Sequence, residues 1–275
     1  MTFIGFDSEY KEADIVCFGC PFDGTTSFRP GTRFAPDVIR MESYGLETYS
    51  PYMDKDLEKI NVFDSGNIEM PFGNTEKALN LIENFSKQIV KENKKPLMIG
   101  GEHLVSLPVI KAVQEKYEDL CIIHFDAHTD LRDEYMDEGL SHATVIRRVW
   151  ELVGDNRIFQ FGIRSGQKEE FQWAKSHTKL NKFDFNGIEN LKDIIGERPV
   201  YLTIDLDVLD PSIFSGTGTP EPGGVSFKEL INALMHVREL NIVGADVVEL
   251  SPHYDNSGVS TAVACKVIRE VALIL

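Results

Sequence analysis

The sequence predicts an α/β protein in which helices cover both faces of a central parallel β-sheet. Three observations support this fold class. Short apolar runs recur along the chain, helical patterns lie between them, and polar clusters follow several of the runs at their carboxyl ends. Because the 275 residues contain no repeat, low-complexity tract or linker, we expect a single domain over residues 1–275.

Six apolar runs are predicted strands: 14–18, 97–99, 120–125, 157–161, 199–204 and 242–248. Apolar residues at spacings of three and four predict three helices, marked by Leu79, Ile82, Phe85 and Ile89, by Val145, Val149 and Leu152, and by Leu230, Leu234 and Val237. Ser226 and Glu229 form a capping box before the third of these helices. A last helix is predicted from about Gly258 towards Ile274.

The composition disfavours several classes of partner. Acidic residues number 44 and basic residues 28, a net charge of −16, which disfavours nucleic acid or an anionic membrane and mildly favours a cationic substrate. No apolar run approaches the roughly 18 residues of a membrane span, and the acidic N-terminus is unlike a signal peptide, so we expect a cytoplasmic protein. The four cysteines (Cys17, Cys20, Cys121 and Cys265) are expected to be reduced and structural, because the lone CxxC has no second pair.

Four predicted strands end in acidic residues or histidine. The segments are GGEH (100–103), HFDAHTD (124–130), DLDVLDP (205–211) and VELSPHYD (248–255). In parallel α/β sheets, functional sites gather at the carboxyl ends of the strands. We therefore expect these four segments to meet at one edge of the sheet.

Six side chains in these segments are the predicted metal ligands: His103, Asp126, His128, Asp130, Asp205 and Asp207. Residues 126, 128 and 130 are two apart, so in an extended backbone their side chains would point the same way. The set is too large for one closed zinc site and suits two metal ions bridged by carboxylates. Oxygen-rich ligation with imidazole and no thiolate indicates Mn²⁺, with Co²⁺ or Fe²⁺ as alternatives. Because two such ions about 3.5–4 Å apart generate hydroxide at neutral pH, the residues predict a dinuclear metallohydrolase that prefers a cationic substrate.

These segments resemble, in chain order, the signatures of the ureohydrolases, the family of arginases and agmatinases. PFDGTTSFRPGTRFAP (21–36), SHAT (141–144) and GTGTPEPGG (216–224) extend the resemblance over nearly the whole chain. It implies the three-layer arginase-type fold and two Mn²⁺ per subunit. It also implies hydrolysis of a guanidino group to urea and an amine, in a homo-oligomer such as a trimer or hexamer.

The resemblance also implies roles for individual residues. His103 and Asp130 would bind one manganese ion, His128 and Asp207 the other, and Asp126 and Asp205 would contact both. Asp130 would also carry a proton from the nucleophile to the departing amine. Glu249 is similar to the carboxylate that anchors the guanidinium, and His142 to the histidine that shuttles protons with solvent.

Within the family, the pattern that includes FGIRSGQKEEFQWAK (161–175) is most similar to the bacterial agmatinases. This implies hydrolysis of agmatine to putrescine and urea. Arginases usually carry an Asn shortly after DAHTD that holds the amino-acid end of arginine, whereas this chain has Leu131 and Arg132 there. Val208 stands where many agmatinases carry Cys, but this is not a ligand position.

Three other interpretations stay open. The chain could be another guanidino hydrolase of the same family, such as a guanidinobutyrase, an arginase or a formimidoylglutamase. An acidic substrate would need a cation facing the pocket, and Arg29 or Arg132 could supply it. A metal-binding scaffold without catalysis and a dinuclear phosphoesterase are the other two. His124 and His177 are expected to be structural.

Overall fold

Eight strands of the chain form one sheet, and helices connect most of them. The computed structural model describes all residues from Met1 to Leu275. The strands are β1 (Ile15–Gly19), β2 (Tyr49–Ser50), β3 (Lys55–Asp56), β4 (Val62–Asn67), β5 (Lys95–Ile99), β6 (Cys121–Phe125), β7 (Ile158–Ile163), β8 (Lys179–Lys182), β9 (Pro199–Asp205) and β10 (Asn241–Val248). The α-helices are α1 (Ala35–Ser43), α2 (Thr75–Lys91), α3 (Ser106–Gln114), α4 (Val145–Val153), α5 (Lys168–His177), α6 (Leu191–Ile195), α7 (Phe227–Val237) and α8 (Val259–Ile274).

The main sheet has the strand order β4-β1-β5-β10-β9-β6-β7-β8. Every neighbouring pair in it is parallel. The remaining strands, β2 and β3, form a small antiparallel pair. The predicted parallel sheet is therefore confirmed, and β5, β10, β9 and β6 occupy its centre.

Two hydrophobic cores lie on opposite faces of this sheet. The larger core packs α1, α6, α7 and α8 against the inward side chains of one face, with Ile39, Leu234 and Ile268 fully buried or nearly so. The smaller core packs α2, α3, α4 and α5 on the other face, around residues such as Ile82 and Val109. Because each face must bury its apolar side chains, the strands read as nearly continuous hydrophobic runs. This is the predicted three-layer α/β fold.

All six predicted strands are present, with ends that differ by one or two residues from the prediction. The predicted helices correspond to α2, α4, α7 and α8. The capping box before α7 is confirmed, since Ser226 accepts from the Glu229 backbone N–H and its own N–H donates to the Glu229 carboxylate. That residues 1–275 form a single catalytic domain stays a prediction.

The sequence interpretation did not include β4, β8 or the helices α1, α3, α5 and α6. β4 carries the buried Asp64, which forms an ion pair with the buried Arg40. The distance between Asp64 Oδ2 and Arg40 Nε is 2.8 Å. β8 is a polar edge strand, and its two end residues, Lys179 and Lys182, are exposed. No helix has both the length and the apolar character needed to span a bilayer.

Candidate metal centre

The candidate site is built at the carboxyl ends of the four central strands. His103 begins a short 3-10 helix after β5, and Asp126 directly follows β6. Asp205 is the last residue of β9, and Asp207 lies in the 3-10 helix that follows it. Glu249 directly follows β10. The four segments therefore meet at one edge of the sheet, as expected from the sequence.

The backbone of this region is not the extended chain assumed in the sequence argument. β6 ends at Phe125, and the backbone bends at Ala127. Asp130 and Glu249 adopt left-handed conformations with φ of 51° and 67°. This region costs a non-glycine residue roughly 1–3 kcal/mol and persists where the surrounding structure enforces it. The three side chains 126, 128 and 130 still converge, although the backbone bends between them.

The first cluster surrounds the imidazole of His103. Its Nδ1 lies 3.1 Å from Asp126 Oδ2, 3.2 Å from Asp130 Oδ2 and 3.4 Å from Asp205 Oδ2. Nδ1 is buried and has no well-formed hydrogen bond. A buried polar atom without a partner is costly and calls for an explanation.

The other ring nitrogen of His103 decides the tautomer. Nε2 lies 2.9 Å from Thr203 Oγ1, and the Thr203 hydroxyl donates to Asp246 Oδ1 at 2.7 Å. Thr203 has one hydroxyl hydrogen, so it must accept from His103 Nε2–H. Nδ1 then faces three carboxylate oxygens, which raise the pKa of His103 well above its ordinary value although burial opposes them. The arrangement requires positive charge at this point, which a proton on Nδ1 supplies in the metal-free protein and a bound cation would supply in its place. Outer hydrogen bonds of this kind orient metal-binding histidines.

A second cluster shares Asp126 with the first. His128 Nδ1 lies 3.0 Å from Asp207 Oδ2 and 3.4 Å from Asp126 Oδ1. Asp205 Oδ1 accepts from the Asp207 N–H at 2.8 Å, which fixes the two acids relative to each other. The two oxygens of Asp126 thus face the two clusters, so the residues fit two cations joined by this carboxylate.

The electrostatics of the site also call for cations. Burial, and next the charge of Asp126, raise the pKa of Asp130 to about 7. Burial followed by Asp207 raises the pKa of Asp205 well above its ordinary value, and burial followed by Glu102 does the same for Glu249. These raised pKa values reflect negative charges crowded together away from water. Divalent ions would offset them.

His124 has a part in the site that the sequence interpretation did not include. The side chain is fully buried, and Nε2 lies 2.8 Å from Asp126 Oδ2. The amide nitrogen of Gln160 donates to His124 Nδ1 at 3.1 Å, since the amide oxygen accepts from the Thr178 hydroxyl. Nε2 therefore carries the hydrogen that holds the Asp126 carboxylate in place.

Glu102 is a second residue that sequence reasoning missed. It is fully buried one position before His103. Its carboxylate accepts from the backbone N–H of Thr25 at 2.6 Å and from the hydroxyl of Thr25 at 2.6 Å. Burial raises the pKa of Glu102 to about 7, and the hydrogen bonds from Thr25 act in the opposite direction.

A polar cavity of about 310 Å³ opens over the clusters. Asp130, His142 and Glu249 line it. Glu249 Oε1 accepts from the His103 backbone N–H at 2.8 Å. His142 Nε2 lies 3.0 Å from the hydroxyl of the exposed Ser27. Both residues predicted to act on the substrate are thus brought together with the metal ligands.

Arg132 is the single lysine or arginine among the residues that line the cavity. Its Nε lies 3.7 Å from Glu170 Oε2, and its guanidinium carbon lies 4.5 Å from the centre of the Tyr135 ring. Glu170 also accepts from the Thr129 hydroxyl and the Leu131 N–H. The positive charge of Arg132 is therefore already partnered within the protein.

The remaining residues named from the sequence lie away from the cavity. The guanidinium of Arg29 packs against the rings of Phe28 and Tyr254, 5.2 Å from each centre. His177 pairs with Asp155 at 2.7 Å and stacks on Trp173. The structural interpretation of His177 agrees with these contacts.

A buried carboxylate–imidazole cluster at the floor of a polar cavity fits a metal centre at the carboxyl ends of a parallel sheet, and the family match below identifies the class as the dinuclear metalloenzymes called ureohydrolases. The chain belongs to the arginase family, whose model matches residues 13–274.

Individual relatives agree with this assignment. The chain is 50% identical to the agmatinase of Bacillus subtilis over 99% of its own length and 95% of the relative's. Its structure is similar to that of the agmatine ureohydrolase of Thermoplasma volcanium, with a TM-score of 0.91, 33% identity and coverage of 99% and 93% of the two chains. It is also similar to an arginase from Medicago truncatula, with a TM-score of 0.83, 30% identity and coverage of 95% and 87%.

The loop after Asp207 gives a pH-dependent prediction. The Asp210 carboxylate accepts from the N–H groups of Ser212, Gly223 and Gly224 at 3.0, 2.8 and 3.0 Å. Hydrogen bonds from Ser212, and next from the two glycines, lower the pKa of Asp210 from 3.8 to about 2. A lowered carboxylate pKa stabilises the fold above about pH 4, and this contribution is lost as the pH falls through about 2.

We therefore expect Asp210→Asn to lower the free energy of unfolding of the metal-free protein at pH 5, and to lower it less at pH 3. Urea unfolding at both pH values measures the difference. Asp193→Asn, a change at an exposed position on α6, is the control and should give no pH-dependent difference. An Asp210→Asn deficit that is equal at both pH values would contradict the prediction.

Proposed function

We propose that the protein is an agmatinase, which hydrolyses agmatine to putrescine and urea with two Mn²⁺ ions and thereby serves polyamine synthesis. One observation carries the proposal: Nδ1 of His103 faces three buried carboxylates at the floor of the cavity. The chain also shares 50% sequence identity with an agmatinase over 99% of its length. Site and sequence therefore support the same reaction.

Six residues would hold the metal ions. His103 and Asp130 would bind one ion, His128 and Asp207 the other, and Asp126 and Asp205 would contact both. Oxygen-rich ligation without thiolate supports manganese. When bound, the ions would activate water at neutral pH and stabilise negative charge.

The residues around the cavity would orient the substrate and move protons. Glu249 would bind the guanidinium through its carboxylate and so hold the carbon in position for attack. Asp130 would take a proton from the attacking water and give it to the departing amine nitrogen. His142 would exchange protons with solvent at Nε2, which the exposed Ser27 contacts.

The charge of the cavity supports a cationic substrate without a carboxylate. Asp130, Glu170, Asp205 and Glu249 line the cavity, against a single guanidinium. That guanidinium, on Arg132, is already partnered by Glu170 and Tyr135. A substrate carboxylate would therefore have to displace an internal partner, whereas agmatine has no carboxylate to place.

The experiment that tests the proposal measures urea release by the manganese-loaded enzyme from agmatine, arginine and 4-guanidinobutyrate, each offered separately. We expect agmatine to give a kcat/KM at least about 100-fold above the other two, since an uncompensated buried charge costs several kcal/mol. Urea from none of the three, with two metals bound, would overturn the proposal.

A guanidino-acid hydrolase is the second candidate, and the position of Arg132 in the cavity wall is the observation that favours it. In that case 4-guanidinobutyrate would be the best substrate. Arg132→Gln would then raise its KM, whereas the KM of agmatine would stay the same or fall. The two candidates thus predict opposite responses to one substitution.

We further propose a cytoplasmic homo-oligomer, a trimer or a hexamer. The four cysteines are free and buried, which suits a reducing compartment. Phe34, Met41 and Tyr44, on or beside α1, are more than half exposed, at 55%, 54% and 57%. Exposed apolar residues that lie together support a protein–protein contact at this helix.

A further inference from the structure

The segment that follows β1 contacts His142 at two separate points. The His142 backbone N–H donates to Thr25 Oγ1 at 3.0 Å. The His142 ring Nε2 lies 3.0 Å from Ser27 Oγ. These contacts join parts of the chain 117 and 115 residues apart. We call residues 25–27 the clamp segment.

The clamp segment is fixed in turn by Glu102. Thr25 has one hydroxyl hydrogen, which points to the Glu102 carboxylate at 2.6–2.7 Å, so its lone pairs are left to accept from His142. The Thr25 backbone N–H donates to the same carboxylate at 2.6 Å. The Glu102 backbone N–H donates to Phe22 O at 2.8 Å, which ties the start of the loop to the same residue. Because Glu102 is fully buried, the loop has a rigid anchor.

The middle residue of the segment behaves differently from its two neighbours. Thr26 Oγ1 is buried but has no hydrogen-bond partner. The polar contacts to the site therefore come from Thr25 and Ser27 and not from the segment in general. This difference supplies a matched control within three residues.

We infer that Thr25 and Ser27 are positioning residues that hold the His142 ring in the orientation needed for proton exchange, with Glu102 anchoring them. The inference rests on the proposed function, because it assigns the work to His142. Ser27 fixes the ring through Nε2, and Thr25 fixes the backbone that carries it. Without both contacts the ring would sample other rotamers, and fewer molecules would be ready to transfer a proton.

The test compares Ser27→Ala and Thr25→Val with Thr25→Ser and Thr26→Val in the manganese-loaded enzyme. Loss of one hydrogen bond to His142 should lower kcat about tenfold and change KM less than about twofold. Thr25→Ser keeps the hydroxyl and should stay within about twofold of the wild type, as should Thr26→Val. Two metals should remain bound in all four variants.

A second readout does not depend on activity. Ring ¹⁵N spectra of the metal-free protein report the hydrogen bond at Nε2, and the His142 signals are assigned by their loss in His142→Asn. Ser27→Ala should move the Nε2 signal and Thr26→Val should not. Because Ser27 is exposed, Ser27→Ala should fold and can be measured even if Thr25→Val fails to fold.

The possible results distinguish a failure of this inference from a failure of the proposed function. Wild-type kcat and an unmoved ring signal in Ser27→Ala would overturn the inference while agmatine hydrolysis stands. A raised KM at unchanged kcat would also overturn it, because the segment would then bind substrate. If the wild type releases no urea from agmatine, the proposed function is wrong. The ring spectra would still show whether Ser27 orients His142.

Discussion

Asp126→Asn is expected to lower the affinity for metal by more than about 100-fold, since even outer partners of metal ligands are typically worth 10–100-fold. Asp126 has one oxygen 3.1 Å from His103 Nδ1 and the other 3.4 Å from His128 Nδ1. An amide keeps the size of the side chain, but it replaces one oxygen with a donor and removes a charge shared by both clusters. The variant should therefore bind at most one metal tightly and release urea very slowly.

Metal analysis after dialysis and thermal unfolding measure this effect independently of turnover. A ligand that binds only the folded state stabilises it, by about 2.7 kcal/mol at a concentration 100 times Kd. Added Mn²⁺ should raise the Tm of the wild type clearly and that of Asp126→Asn much less. Asp119→Asn is the matched control, because Asp119 is exposed just before the same strand. Two tightly bound metals in Asp126→Asn would show that this carboxylate is not a ligand.

His142→Asn is expected to lower kcat by about 100-fold or more, the usual contribution of a positioned acid–base group, while both metals stay bound. Burial, and next the charges of His128 and His103, lower the pKa of His142 to about 4. The ring is therefore neutral at pH 7. No oxygen of the two metal clusters pairs with it.

Metal content and steady-state kinetics at several agmatine concentrations separate the two effects. His236→Asn, at an exposed position on α7, is the control and should behave as the wild type. If His142→Asn loses metal together with rate, the residue is a ligand, and the assignment of proton exchange to it is wrong. An unchanged kcat would remove His142 from the reaction altogether.

Much of the fold was predictable because buried parallel strands are apolar throughout. Runs such as 120–125 and 199–204 stand out for that reason. The two outermost strands do not stand out, because each lies at an edge of the sheet and tolerates polar residues. β8 reads Lys-Leu-Asn-Lys, and β4 contains a buried aspartate, Asp64, that pairs with Arg40.

The residues that form the candidate site were easier to predict from the sequence than their geometry. The predicted ligands converge, but the sequence argument relied on extended backbone, whereas Asp130 has a φ of 51°. His124 could have been found from the same spacing of two that joins 126, 128 and 130. Glu102 could not, since Thr25, the residue that it holds, is 77 positions away in the chain.

The strand order has a consequence for how the protein is made. β10 is synthesised after every other strand of this sheet, yet it lies between β5 and β9 in the middle of the sheet. Until it is synthesised, the nascent chain has two half-sheets with open inner edges, and unpaired edges are prone to aggregation. His103 belongs to one half, and Asp126 and Asp205 to the other. The residues of the candidate metal centre therefore come together only after β10 has joined the two halves.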